Sequence, residues 1–368
     1  MLFVVRRWTR GSLVPDCALA GWDLGGAHLK VARVGPGVQG GARVERVLQV
    51  PCALWRGLGE LEQALRQADQ AIGPVARHAV TMTGELVDLF ESRAEGVARL
   101  VEVMAARYGA GAVRFYGGAA GFLAPEQAAA RPGDVASANW LASAAFTAAR
   151  LAEGLLLDVG STTTDLVPFA RGAVLAQGMS DDARLRCGEL VYRGVTRTPV
   201  MAVAEAVSFK GARQPLMAEL FATMADVYRL TGALPEDADQ HATADGRAKT
   251  PAASARRLAR MLGLDAAMND PSERDLAPWR GVAAELARRQ RETIEQAAAL
   301  VLSHGEITAE APLVGAGVGR FLLPELASAL GRPYRDFAEL IDGPAEAKEG
   351  AARSAPAAAV ALLALDSW

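Results

Sequence analysis

Residues 155–169, LLLDVGSTTTDLVPF, run apolar to Asp158, turn through Gly160 and Ser161, and continue through Thr162, Thr163 and Thr164 to Asp165. The pattern predicts a β-hairpin whose tight turn points backbone N–H groups outward, a concavity suited to phosphate oxygens. An aspartate at the end of the first strand suits hydrated Mg2+, which takes carboxylate, water and phosphate oxygen. Taken singly, the stretch also reads as an ordinary hairpin. The chain repeats it, however, in residues 17–34, CALAGWDLGGAHLKVARV. There Asp23 matches Asp158, Gly25 matches Gly160, Gly26 matches Ser161 and Lys30 matches Asp165. Two matching copies, one in each half, favour the phosphate turn over the ordinary hairpin.

The remaining composition narrows the class. With 368 residues, 51% of them apolar, the chain is long enough for two domains at a rough ~150 residues each. A net charge of -3 argues against a broad nucleic-acid-binding face. Cys17, Cys52 and Cys187 form no CxxC pair, which implies a reducing compartment without a disulfide framework or cysteine metal site. Residues 1–17 read as a loose tail, since the arginines follow the four-residue apolar run where a secretory signal would have them first. The closing AAAVALLALDSW, residues 357–368, is shorter than the ~20 apolar residues of a membrane span and reads as a buried helix. The expectation is a cytoplasmic protein with small-molecule partners, neither nucleic acid nor membrane; homo-oligomerisation stays open.

Residues 311–331, APLVGAGVGRFLLPELASALG, pass from a strand through Gly315, Gly317 and Gly319 into a helix. A dinucleotide fingerprint belongs in an opening βαβ unit, and this one comes last. A helix after a glycine turn still suits an anion or the sugar end of a nucleotide. Residues 200–305 are mainly helical by periodicity, interrupted by a loop, LPEDADQHATADGRAKTP, whose Asp245, Arg247 and Lys249 are placed to close over a phosphate or to face solvent.

Two phosphate hairpins followed by a glycine-rich motif resemble the acetate and sugar kinase, Hsp70 and actin superfamily. The resemblance implies a two-lobed actin-like α/β fold: a first lobe over residues 18–150, and a second over 151–368 carrying a helical insertion at about 200–305. Within it, GWDLGGAHLK, TMTGELVDLF, ASANWLASA, LLLDVGSTTTDLVP, GELVYRGVTRTPV and GAGVGRFL together resemble hydantoinase A/oxoprolinase-like proteins linked to tetrahydromethanopterin-dependent one-carbon transfer. That resemblance implies ether formation in methanofuran or methylofuran biosynthesis. A furan-methyl diphosphate meets the phenol of tyramine or glutamyl-tyramine, and diphosphate leaves. An ATP-dependent kinase or ring-opening hydrolase of the same fold is the alternative.

For such chemistry the candidate metal ligands are Asp23 and Asp158, with Mg2+ the expected cofactor. Gly25, Gly26, Gly160, Ser161, Thr162, Thr163, Arg193, Arg197 and Lys30 are candidates for holding diphosphate. A phenol with a pKa of about 10 needs its proton accepted, for which Glu85 and His28 are the candidates. Each has a plainer role open to it. Lys30 suits a solvated strand position, His28 a turn cap, Glu85 the first turn of a helix ELVDLFES, Arg193 and Arg197 the surface, and Trp140 the core.

Overall fold

The computed structural model describes residues 3–4, 18–37, 41–266 and 271–365. Most of the tail read over residues 1–17 therefore lies outside the described residues; Phe3–Val4 pairs antiparallel with Ala173–Val174.

The first sheet contains β1 (Leu19–Leu24), β2 (His28–Pro36), β3 (Ala42–Pro51), β4 (Arg77–Met82), β5 (Val113–Tyr116) and β6 (Phe122–Leu123), in the order β3-β2-β1-β4-β5-β6. All six residues of β1 are buried, as a central strand covered on both faces requires. Helices α1 (Leu58–Ile72) and α2 (Arg93–Tyr108) cover one face, packing Leu61, Leu65, Val97 and Leu100 against Trp22, Leu29 and Val80. The helix read from ELVDLFES is instead a single 3-10 turn, Gly84–Leu86. The start signal lies further on, where the Ser92 side chain caps α2 by accepting from the Glu95 N–H.

The second sheet repeats the opening meander with β7 (Glu153–Val159), β8 (Thr164–Ala170) and β9 (Ala173–Val174), while β10 (Leu190–Val191) pairs with β8. Strands β11 (Leu313–Ala316) and β12 (Tyr334–Asp336) then add in parallel beyond β7. Its outer face carries three helices of the insertion, Met224–Thr231, Pro251–Met261 and Glu273–Leu302, over Leu155, Leu157 and Leu166.

Two helices lie between the sheets: α3 (Asn139–Ala148) and the terminal helix Ala355–Ala364, which share one core with Leu19, Ala32 and Ala79 of the first sheet and Leu156, Val167 and Val314 of the second. Every residue of the terminal helix is buried, which explains its lack of a polar stripe. Among the described residues no helix is long and apolar enough to cross a membrane.

The loop at 235–250 is pinned from below. Buried Arg257 reaches Asp226 at 2.6 Å and Asp245 at 3.0 Å, while Arg229 and Lys249 hold Asp239. Its tip crosses to the first lobe, where His241 Nε2 lies 2.8 Å from the Ala27 carbonyl oxygen and Gln240 Nε2 donates to Gln49 O at 3.4 Å. Asp245 and Lys249, for which the sequence left closing over a phosphate and facing solvent both open, are engaged within the insertion.

Gly21 marks where helix and sheet meet most closely: a Cβ there would lie 2.1 Å from Ala357 O and 2.6 Å from Ala361 Cβ. Gly21→Ala is expected to lower stability by about 1–3 kcal/mol, the usual cost of overpacking. Gly59→Ala, which meets nothing within 4 Å inside α1, is expected to be neutral or to gain up to about 1 kcal/mol. Denaturant titration of both variants makes the comparison.

Candidate active site

The β1–β2 and β7–β8 turns face a cavity of about 280 Å³ between the lobes. The repeat read in the sequence is exact in register: Asp23 lies opposite Lys30, and Asp158 opposite Asp165. In each turn the glycine amide closes the hairpin, Gly25 to His28 O at 3.0 Å and Gly160 to Thr163 O at 2.8 Å. The other turn carbonyls are tied back. Gly26 O and Ala27 O accept from Leu54 and Cys52, Ser161 O from Thr196 and Arg197, and Thr162 O from Gly194. With their carbonyls held away, both turns present amide edges to the cavity, which favours an anion.

The floor is acidic. Lys30 Nζ lies 3.3 Å from Asp23 Oδ2, whereas Asp23 Oδ1 is buried with no partner. Burial raises both carboxyls above the usual range, and Asp158 reaches about 7, with Lys30 opposing the shift and Asp165 and Asp23 adding to it. Burial alone would depress the Lys30 ammonium, but Asp23 and Asp158 outweigh it and hold the charge. Asp165 Oδ1 accepts from Arg184 Nη1 at 2.8 Å, and that guanidinium stacks 3.9 Å over the Trp140 ring.

Arg197 lines the cavity, donating to Thr162 Oγ1 at 3.3 Å and lying 5.2 Å from the Trp55 ring centre. Among the described residues it makes no ion pair with a carboxylate, and burial lowers its pKa; both fit a cation awaiting an anion. Arg193 stays outside the lining, its Nη1 donating to Tyr192 O. His28 lines the cavity with Nε2 unpartnered, its ring 4.6 Å from that of His241. Burial, reinforced by His241, Lys30 and Arg197, pushes its pKa down to about 2, so it is neutral and a weak base. Glu85 does not line the cavity; it lies behind Ser137, whose Oγ donates to Glu85 Oε1 at 2.8 Å.

Gly315, Gly317 and Gly319 do not line this cavity either. A Cβ on Gly315 would lie 2.5 Å from the Tyr334 hydroxyl oxygen, and one on Gly319 would lie 2.5 Å from Val159 Cγ1. Gly317, at φ +85°, would meet Asp158 Oδ1 at 2.4 Å. These glycines let the β11 turn pack behind Asp158. Only Val318 of this turn reaches a second cavity of about 330 Å³, which Asp237, Glu346, Glu349 and Arg353 also line.

Apolar side chains line the cavity as well, Leu86, Val87, Trp140, Leu190, Tyr192 and Pro356, with the polar Thr83, Ser137, Asn139 and Asp181 among them. Asp165, Arg184, Ser137 and Tyr192 were not singled out as site residues from sequence. Asp165 carried a signal, as the repeat's counterpart of Lys30. Arg184 carried none, because it reaches the floor from a separate helix, Asp181–Cys187. Trp140, read as core, is both buried and cavity-lining.

Two sheets with matching anion turns and interleaved helices define the actin-like fold of the acetate and sugar kinase, Hsp70 and actin superfamily. Over 93% of this chain and 70% of the other, the fold is similar to acetone carboxylase in its nucleotide-free structure, with a TM-score of 0.52 at 10% identity. The profile of the hydantoinase/oxoprolinase family matches residues 77–363. The (4-{4-[2-(gamma-L-glutamylamino)ethyl]phenoxymethyl}furan-2-yl)methanamine synthase of Methanocaldococcus jannaschii is 32% identical over 251 residues, 68% of this chain and 73% of the relative. The synthase of the same name from Methanococcus vannielii is 32% identical over 111 residues, 30% of this chain and half of the relative. The chain belongs to the hydantoinase/oxoprolinase family and, within it, to the group of these synthases; it is an enzyme.

The anion turn of the second lobe depends on Gly194, where a Cβ would lie 2.2 Å from Thr162 N and 2.4 Å from Ser161 O. Gly160 is more open, meeting only Thr163 O at 3.3 Å. Gly194→Ala is expected to weaken inorganic diphosphate binding at least tenfold, and Gly160→Ala less. Titration calorimetry gives both affinities, and equal affinities would mean that the turn does not hold the anion.

Proposed function

We propose that the protein joins the methyl carbon of an (aminomethyl)furan-methyl diphosphate to the phenol oxygen of tyramine or glutamyl-tyramine, as a step of methanofuran or methylofuran biosynthesis. The bond from carbon to the diphosphate oxygen breaks, the aryl ether forms and the phenol proton leaves. One observation carries the reading: a single cavity is lined both by groups suited to an anion, the two turns, Lys30 and Arg197, and by apolar side chains suited to an aromatic ring, Leu86, Val87, Trp140 and Tyr192. The names of the relatives, which describe a phenoxymethyl-furan product, support it.

A furfuryl carbon sheds a good leaving group readily, because the ring oxygen shares the developing positive charge. The enzyme's work is then chiefly to stabilise the departing diphosphate. The turn amides, Lys30 and Arg197 are suited to bind its oxygens and to exclude water from the carbon. Mg2+ fits the floor: Asp23 and Asp158 offer two buried carboxylates with uncompensated charge and an orphaned oxygen. Among the described residues no group of three or more His, Cys, Asp or Glu forms a ready metal cage, which suits an ion that binds by one or two carboxylates and substrate phosphate. When bound, Mg2+ would supply charge to offset the leaving diphosphate.

The leaving group is already attached to the furan substrate, so the reaction needs no phosphate donor. Coupling is therefore expected without ATP, releasing one diphosphate per ether. Asp158→Asn should slow it on the order of 10²-fold or more, the scale of losing one charge-stabilising group, with the fold retained. Mass detection of the ether alongside assays for diphosphate and ADP tests this. Strict ATP dependence with matching ADP would overturn the reading in favour of a kinase or hydrolase.

A further inference from the structure

Glu85, buried, and Ser137, half-buried, form a polar pair to which the reading above gives no task. Ser137 lines the cavity, just before α3 and close in sequence to Trp140. Its backbone sits at φ 51°, a left-handed conformation uncommon for serine and of the kind that gathers at functional sites. Its hydroxyl donates to Glu85 Oε1 at 2.8 Å, while Glu85 Oε2 is buried with no partner. The Glu85 backbone is fixed from behind, since a Cβ on Gly96 of α2 would lie 2.3 Å from Glu85 O.

An anchor for Ser137 would need only a neutral acceptor; a carboxyl with one oxygen unsatisfied is costly to bury. Burial lifts the carboxyl above its ordinary value, with Glu85's own backbone N–H, the Ser137 hydrogen bond and Arg93 opposing and Asp181 adding. A raised carboxyl is a stronger base toward a phenol. With its own proton directed at Glu85, the serine oxygen has lone pairs free for a proton from the cavity.

We propose that Ser137 and Glu85 form a proton relay for the acceptor, Ser137 Oγ taking the phenol proton as its own passes to Glu85. The proposal rests on the ether synthase reading. The phenol O–H bond breaks, the Ser137 proton moves to Glu85 Oε1, and the phenol oxygen bonds to the furfuryl carbon as diphosphate departs. Glu85 ends protonated and returns its proton through Ser137 after product release.

The test is coupling rate against acceptor pKa, using para-substituted phenols from about 7 to 10, the upper end being that of tyrosine. In Ser137→Gly and Glu85→Gln, ordinary phenols should slow roughly 10²-fold, within the range of general base catalysis. Phenols already ionised at the assay pH should stay near the wild-type rate. Ser137→Gly tolerates the left-handed backbone, so it decides the matter if Glu85→Gln fails to fold. Diphosphate affinity, read by calorimetry, should not change. A loss uniform across the series, or no loss, overturns the relay. If the wild-type protein couples no phenol to the furan diphosphate, the synthase reading falls and takes the relay with it.

Discussion

The site depends on two aspartates held without sufficient counter-charge at the ends of strands buried on both faces. Asp23 and Asp158 each stand one residue before the end of their strands, β1 and β7, and one ammonium, Lys30, stands among them and Asp165. Carboxylates rarely persist in such a setting unless paired or bound to metal. The strands cannot yield, because α3 and the terminal helix fill the space between the sheets with buried, mostly apolar side chains. Close approach at Gly21 and Gly317 brings helix and turn against these same two strands. Rigid packing therefore maintains an electrostatic arrangement that would otherwise relax.

Much of this was legible in the chain. The two hairpins announced themselves by a repeated order of acid, glycine and second strand, and register preserved it residue for residue. Local pattern carried that information because a hairpin is made by neighbours. Arg184 and Ser137 were not legible in the same way: each enters the cavity from a separate element, and only the tertiary fold brings them to Asp165 and Glu85. The glycines at 315–319 show a further limit: a glycine needed for a ligand and one needed for close packing look alike in sequence, and here the neighbouring atoms show the close packing. The helix drawn from Glu85 failed because the capping serine stands seven residues later.

The contrast between His28 and Glu85 shows how position assigns chemistry. Both are buried beside the cavity, yet the imidazole sits among Lys30, Arg197 and His241, where a further positive charge is opposed. It stays neutral. Glu85 sits behind Ser137, where burial raises its carboxyl above the ordinary value.

The lobes are also joined directly. Arg93 of α2 grips Asp181 at 2.5 Å, and His241 of the insertion meets the Ala27 carbonyl of the first turn. Asp181 and Ala27 both line the cavity. A lobe movement wide enough to exchange bound molecules must release both fastenings together. Any opening of the cavity is thereby one concerted movement of both lobes, in place of two independent doors.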